Sequence, residues 1–163
     1  MRRLLVVVGT VMVVTGCGSA PEQKPPPPVT AGAALMDRDG KDVGRATLIE
    51  TDGGVRITFT GHRLPPGVKG LAVTAVARCE PPRFVSAGPP RAHTSKLPDL
   101  NVSAAGEAGV DTVVRDMTLG PGPGSLISGA GTALVVLASP DAVRTDPTGT
   151  GGARIACGAV VRD

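Results

Sequence analysis

The feature that most constrains the fold is a series of short apolar runs separated by turn signals. Residues 55–60 alternate, placing Val55, Ile57 and Phe59 on one face, and Asp-Gly pairs stand at 39–40 and 52–53. A period of two combined with such turns is typical of antiparallel strands. Because no segment shows a helical period, the chain is predicted to be all-β, a Greek-key barrel or sandwich of about eight strands. The other predicted strands are residues 33–36, 43–51, 71–79, 99–103, 111–119, 133–138 and 154–161.

The N-terminus has the composition of an export signal. Residues 1–3 carry two arginines, residues 4–14 are largely apolar, and a Thr-Gly pair precedes Cys17. The apolar run is too short to span a bilayer stably, so residues 1–16 are predicted to be a signal peptide. Small residues before a cysteine match the bacterial lipobox, so we expect a lipoprotein anchored through Cys17 on the extracytoplasmic side of the cell membrane. The alternative is an ordinary secretory signal with an unrelated cysteine.

Residues 17–30 contain four consecutive prolines at 25–28, a composition that favours polyproline II. We interpret this segment as a tether to a domain over residues 31–163; a proline-rich ligand for a partner is the alternative. Removing residues 1–16 takes away Arg2 and Arg3, so the formal net charge falls from +3 to about +1. With so little excess charge, and with neither Trp nor Tyr, the chain is not expected to bind nucleic acid.

Three segments of the predicted domain resemble one known family. They are Gly-Gly-Ala-Arg-Ile-Ala-Cys-Gly-Ala-Val at 151–160, Phe-Val-Ser-Ala-Gly at 84–88 and Ala-Leu-Val-Val-Leu-Ala at 133–138. Together they are similar to the copper/zinc superoxide dismutases, and the resemblance covers roughly residues 31–163. It implies an eight-stranded Greek-key barrel with one disulfide. It also implies an enzyme that holds copper with four imidazoles and zinc with three histidines and an aspartate.

The copper ligands of the resembled family have no counterparts in this chain. The family's first two copper histidines alternate along a strand that ends at the first disulfide cysteine, and the matching positions hold Ala72 and Thr74. Pro90 stands where the bridging imidazole follows a Ser-Ala-Gly motif, and Leu137 stands at the last copper histidine. Alanine, proline and leucine side chains donate nothing to a metal, and threonine donates little. The substitutions suggest that ordinary packing has replaced the copper cavity.

The zinc ligands are nearly gone as well. His93 precedes a Leu-Pro-Asp-Leu run and resembles the family's final zinc histidine, while Lys96 takes the place of the zinc aspartate and would repel the cation. The chain has only two histidines, His62 and His93, so four imidazoles cannot be assembled within it. Neither copper nor zinc is expected as a cofactor. His93 stays a weak metal-ligand candidate beside its interpretation as a solvated loop residue.

The remaining cysteines, Cys79 and Cys157, are expected to form a disulfide in an oxidising compartment. In the resembled family the equivalent bridge ties a loop to the last strand, whereas two unpaired buried cysteines are the alternative. Arg154 matches the arginine that guides the anionic substrate in that family. Without copper it could bind another anion, or hydrogen-bond loop carbonyls and hold the disulfide loop, which is the interpretation that we favour.

These observations predict a non-catalytic envelope lipoprotein, a pseudoenzyme that kept the scaffold and lost the metals. Its expected partners are the membrane, through Cys17, and an envelope protein or cell-wall component. Two alternatives stay open. The first is an enzyme with residual copper or zinc chemistry at His93 and Arg154. The second is a module that recognises a small anion or a cell-wall partner through residues 89–96.

Overall fold

The computed structural model describes residues 27–91, 97–140 and 153–163 of the chain. The predicted signal peptide, Cys17 and most of the predicted tether lie outside these residues. The described part contains nine strands: β1 (Thr30–Asp37), β2 (Asp42–Thr51), β3 (Gly54–Gly61), β4 (Gly67–Thr74), β5 (Leu100–Val102), β6 (Ala108–Val114), β7 (Ala133–Leu137), β8 (Arg154–Ala159) and β9 (Val161–Arg162). A 3₁₀ helix, Val85–Ala87, lies between β4 and β5. No helix in the described residues is long and apolar enough to cross a membrane.

The strands form one antiparallel sheet that curls into a nearly closed barrel. Their order is β5-β4-β7-β8-β1-β2-β3-β6, and β9 pairs with β1. The two edge strands, β5 and β6, follow each other in the chain and are joined by a turn in which the Ser103 N–H donates to the Glu107 carbonyl at 2.8 Å. The connections from β3 to β4 and from β6 to β7 cross the barrel. The prediction of an eight-stranded Greek-key barrel is confirmed, with β9 as a short addition.

Alternation along the strands fills the barrel. In β3 the side chains of Val55, Ile57 and Phe59 are buried and their neighbours are exposed, as predicted. Apolar faces of this kind come together when a sheet closes on itself. Gly158 allows β8 to approach β1 closely, because a Cβ atom there would lie 2.5 Å from the Ala34 carbonyl oxygen. We call the buried side chains inside the barrel the barrel core.

Two predicted strand ends are wrong. β4 ends at Thr74 rather than at residue 79, because the Ala75 and Val76 N–H groups bond to the carbonyls of Pro89 and Ala87 in a returning loop instead of a neighbouring strand. β6 ends at Val114 rather than at residue 119. The apolar residues that follow it belong to a loop, in which hydrogen bonds within residues 118–126 replace strand pairing.

Candidate functional site

The candidate site lies on the outer face of β4 and β7, the surface where the resemblance places copper. All five residues of β7 are buried, as are the last five of β4, because both faces of these strands are covered. The inward side chains join the barrel core: Leu71, Val73, Leu134 and Val136. The outward apolar side chains belong to a second group of buried residues: Ala72, Ala133, Val135 and Leu137.

This second group, which we call the outer cluster, is covered by the disulfide loop, residues 75–91. The loop contributes Phe84 and Ala87, which are 1% and 0% exposed, and β8 contributes Cys157. Cys79 is partly buried and packs against the same group. In residues 27–91, 97–140 and 153–163, the outer cluster therefore consists of one sheet face and one loop.

Two contacts link the disulfide loop to β8, in addition to the hydrogen bonds at the ends of the loop, such as the Arg91 N–H to the Val73 carbonyl at 3.0 Å. The first is the disulfide between Cys79 and Cys157, whose Cα atoms lie 5.6 Å apart. The second is Arg154, which is 5% exposed. Its Nη1 donates to the Phe84 carbonyl and its Nη2 to the Gly88 carbonyl, both at 2.7 Å. These bonds to loop carbonyls match the structural interpretation of Arg154.

Phe84 occupies an unusual backbone conformation at the centre of this arrangement. Its φ is 54°, in the left-handed region that non-glycine residues seldom adopt. Such a residue costs about 1–3 kcal/mol and persists only where its surroundings determine it. Here the ring is buried in the outer cluster while its carbonyl accepts the bond from Arg154. The free energy gained by burying an aromatic ring is large enough to offset the cost of this backbone conformation.

The family model of copper/zinc superoxide dismutase (SODC) matches residues 43–160, which include the outer cluster and most of the barrel. The chain belongs to the copper/zinc superoxide dismutase family. Superoxide dismutase [Cu-Zn] 1 of Aquifex aeolicus is 32% identical over 144 residues, covering 78% of this chain and 85% of that protein. The superoxide dismutase-like protein YojM of Bacillus subtilis is 31% identical over 191 residues, covering 98% and 96%.

Solved structures of a superoxide dismutase-like protein from Bacillus subtilis share the fold. One has a TM-score of 0.71 at 28% identity and covers 80% of this chain and 97% of its own. A double mutant of that protein, with histidine in place of a tyrosine and a proline, has a TM-score of 0.71 at 30% identity and covers 78% and 95%. The copper/zinc superoxide dismutase of Brucella abortus, at 24% identity, supports the fold alone, with a TM-score of 0.61.

The four residues predicted to replace the family's copper ligands lie on or beside the outer face of β4 and β7, and their side chains are not metal donors of the kind that copper needs. Ala72 and Leu137 are both 5% exposed and pack within the outer cluster. Thr74 forms an isolated bridge with Pro90, and its hydroxyl donates to the Ala133 carbonyl at 3.2 Å. A copper ion needs imidazole or sulfur donors, and none of these side chains supplies one. The residues present therefore do not fit the family's copper.

The histidines do not change this conclusion for the described residues. His62 is exposed between β3 and β4, where its Nε2 lies 3.1 Å from an Asp42 carboxylate oxygen. It is not part of the outer cluster. Among residues 27–91, 97–140 and 153–163, no group of three or more His, Cys, Asp or Glu could hold a metal. His93 and Lys96 lie outside the described residues.

Sequence reasoning missed two contributors to this site. Phe84 lies inside a segment that carried the resemblance, but its side chain had not been assigned a role. Arg38 also went unnoticed, although its Nε donates to the Arg154 carbonyl at 3.0 Å and so links the β1–β2 turn to the start of β8. The five consecutive apolar residues of β7 could have indicated that its outer face is also covered, because a strand buried on both faces lacks alternation of apolar and polar residues.

Proposed function

We propose that this protein is a non-catalytic member of the superoxide dismutase family that acts as a lipid-anchored envelope protein. It keeps the barrel as a rigid scaffold and has exchanged the metal centre for packing. At the extracytoplasmic face of the membrane it has a structural role or binds an envelope protein or cell-wall component. Arg154 serves this role by fixing the disulfide loop, and no step of superoxide chemistry is assigned to it.

The observation that carries the proposal is the outer cluster. The family's chemistry requires a metal held by firm ligands and open to its substrate. Here Ala72 and Leu137 stand at two copper-ligand positions with only 5% of their surface exposed, beneath the ring of Phe84. Burial of these side chains supports a surface selected for packing. It argues against an alternative in which weak copper chemistry persists at this face.

The relatives support the same proposal. The Bacillus subtilis relative is named superoxide dismutase-like, and a solved variant of it carries histidine in place of a tyrosine and a proline. In this chain Pro90 stands where the resemblance places the bridging histidine. A family member without the full histidine set is therefore a reasonable description of this protein.

The envelope location is supported by sequence and by covalent structure. The lipobox ending at Cys17 predicts an anchored N-terminus, and the disulfide between Cys79 and Cys157 suits an oxidising compartment. Two measurements test this part. We expect the mature protein to begin at a diacylated or triacylated Cys17 by mass spectrometry, and Cys17→Ser to move it out of the membrane fraction. An unmodified Cys17 in a membrane-free protein would contradict the location.

The catalytic part is tested by loading the full-length, oxidised protein with copper and zinc and measuring superoxide consumption. We expect less than about a tenth of an equivalent of tightly held copper and no activity. Protein must be quantified by peptide absorbance, because the chain lacks Trp and Tyr. Stoichiometric copper with activity that disappears in His93→Ala would contradict the proposal, because it would show a working site built around His93.

A further inference from the structure

A pocket at one end of the barrel lies apart from the outer cluster. It has a volume of about 250 Å³ and lies between the β1–β2 turn, the β3–β4 connection and β8. Its apolar wall is formed by Val43, Leu64, Pro65 and Ile155. Val43 and Leu64 are buried, at 1% and 3% exposure, so this wall reaches into the barrel core. The volume suits a small molecule rather than a drug-sized ligand.

Two arginines, Arg38 and Arg63, are among the residues that line this pocket. Arg38 is held over the pocket because its Nε is bonded to the Arg154 carbonyl at 3.0 Å, which leaves its two terminal nitrogens for other acceptors. Neither arginine forms an ion pair with a carboxylate in the part of the chain that the structure describes. Two arginines that line one pocket without acidic partners are suited to planar anions such as carboxylates.

The backbone at Arg63 is held in a strained conformation. Its φ is 57°, in the left-handed region, although the residue is not glycine. Hydrogen bonds on both sides fix it: the His62 N–H donates to the Val43 carbonyl at 2.9 Å and the Leu64 N–H to the Gly106 carbonyl at 3.1 Å. Strain of this kind is maintained where the surrounding structure determines it, and it is concentrated at ligand sites.

Two carboxylates also line the pocket, and both are committed to the β1–β2 turn. One Asp37 oxygen accepts the N–H groups of Asp39 and Lys41, each at 2.9 Å. An Asp39 oxygen lies 3.9 Å from the Lys41 ammonium, which offsets its charge. Both carboxylates keep their charge, so the three cations Arg38, Arg63 and Lys41 exceed the two anions Asp37 and Asp39 by one positive charge.

We infer that this pocket binds a small organic carboxylate, with the carboxylate between Arg38 and Arg63 and a short hydrocarbon body against Val43, Leu64 and Ile155. The same chemistry is offered by a free acid and by the C-terminal carboxylate of a peptide. The inference does not depend on the proposed function, since no residue lining the pocket belongs to the outer cluster.

The test is a titration of the full-length protein with 4-methylpentanoate and with its neutral amide, followed by calorimetry and by backbone NMR shifts. We expect the acid to bind at least about tenfold more tightly than the amide, because only the acid forms charge-assisted bonds. Binding should shift the amide signals of Val43 and Leu64. Equal affinity of acid and amide, or no shift at these residues up to about 10 mM, would overturn the inference.

Variants of single arginines test whether Arg63 provides the affinity for the acid. Arg63→Gln should weaken binding of the acid about tenfold or more, whereas Arg115→Gln, which removes an exposed guanidinium beyond the opposite end of β3, should leave it unchanged. Arg63→Lys keeps the charge without the paired donors and should give an intermediate loss, and it serves as the readout if Arg63→Gln does not fold. Equal weakening in the Arg63→Gln and Arg115→Gln proteins would overturn the inference, because it would indicate only a diffuse charge effect.

A second ligand distinguishes the two sources of the carboxylate. N-acetyl-leucine presents the same carboxylate and branched chain as a peptide terminus does. If it binds more tightly than 4-methylpentanoate, the pocket is assigned to peptide ends, since the added amide then contributes contacts. If it binds no more tightly, the pocket is assigned to free acids.

Discussion

The barrel core and the outer cluster use opposite faces of the same strands. In β7, Val136 faces the barrel core and Val135 faces the outer cluster, and both are 0% exposed. The barrel core is enclosed by a nearly closed sheet of hydrogen-bonded strands, whose edge strands are β5 and β6. Among the described residues the outer cluster has a sheet beneath it and the disulfide loop above it, so its burial depends on what holds that loop.

The difference shows how an outward sheet face can be buried by a loop instead of by a second sheet. Most of the disulfide loop lacks regular structure, and only residues 85–87 form a turn of 3₁₀ helix. Strand pairing holds only the end of this segment, where Pro90 pairs with Thr74 and the Arg91 N–H donates to the Val73 carbonyl, and ordering the rest costs conformational entropy. The disulfide and the two carbonyl bonds of Arg154 supply the constraint. The outer cluster should therefore respond to loss of these constraints before the barrel core does.

Removal of the disulfide should have the largest effect. The bridge spans 78 residues, so the chain-entropy account assigns it about 4.5 kcal/mol of stability. We expect Cys79→Ser/Cys157→Ser to lose about that much free energy of unfolding, measured by denaturant titration. A loss below about 1 kcal/mol would mean that the loop is held without the bridge.

Hydrogen exchange on the same double variant compares the local stability of the disulfide loop with that of the barrel. The amide protons of Ala75 and Val76, which bond to the Pro89 and Ala87 carbonyls, should lose most of their protection. Amide protons in β2 and β3 should keep protection, since their pairing does not involve the loop. Equal loss of protection in both regions would show that the two clusters form one cooperative unit.

Arg154→Met should have the next largest effect. It keeps the length of the side chain but removes two charge-assisted bonds and leaves the Phe84 and Gly88 carbonyls without their partner. We expect a loss of about 3 kcal/mol of unfolding free energy. Arg56→Met is the matched control, since Arg56 is half exposed and bonds only to Asp111 across β3 and β6. A similar small loss of stability in both variants would contradict the proposal that Arg154 fixes the disulfide loop.

Val135→Ala and Val136→Ala form a matched pair of smaller changes. Each removes two methyl groups from a fully buried site, so each should cost about 2 kcal/mol in the oxidised protein. In the background lacking the disulfide, Val136→Ala should keep its cost, whereas Val135→Ala should lose most of it because the loop no longer covers that face. Denaturant titration of the four variants and their two parent proteins measures both differences. Equal costs in both backgrounds would contradict the distinction between the clusters.

The smallest expected effect concerns a charge pair on the solvent side of β3 and β6. The hydrogen bonds from Arg56, and its charge, lower the pKa of Asp111 below its ordinary value. The pair therefore stabilises the fold above the unfolded-state pKa of about 4, and this contribution is lost as pH falls through the lowered pKa. Asp111→Asn should show a shallower loss of stability on acidification, and high salt should reduce the difference. A steeper loss of stability in Asp111→Asn would contradict the lowered pKa of Asp111.

The barrel could be predicted from the sequence because its signals are local. Val55, Ile57 and Phe59 alternate with exposed residues, and the Asp-Gly turns mark where the strands end. The disulfide and the loss of the copper histidines followed from the motifs around Cys79 and Cys157. For the strands, residue type and spacing determine the structure directly, whereas the disulfide and the lost histidines were expected from the family resemblance and from the count of two histidines.

Other features depend on contacts between distant segments and were not visible in the sequence. Met117 and Leu119 are buried and looked like part of a strand, yet their burial comes from a loop folded over the barrel. The chain leaves β4 at Thr74 because residues 87 and 89 offer carbonyls there. The Phe84 carbonyl likewise accepts a hydrogen bond from Arg154, 70 residues away.

The most direct test of the central claim is a methyl NMR spectrum of the full-length protein with paramagnetic Cu(II) added stepwise. The account predicts that the methyl signals of Val135 and Leu137 keep their intensity at one equivalent, as those of Val136 do, because the outer face of β4 and β7 is packed and has no copper ligands. Selective loss of the Val135 and Leu137 signals, with Val136 less affected, would contradict the account and would place a copper ion where the outer cluster is.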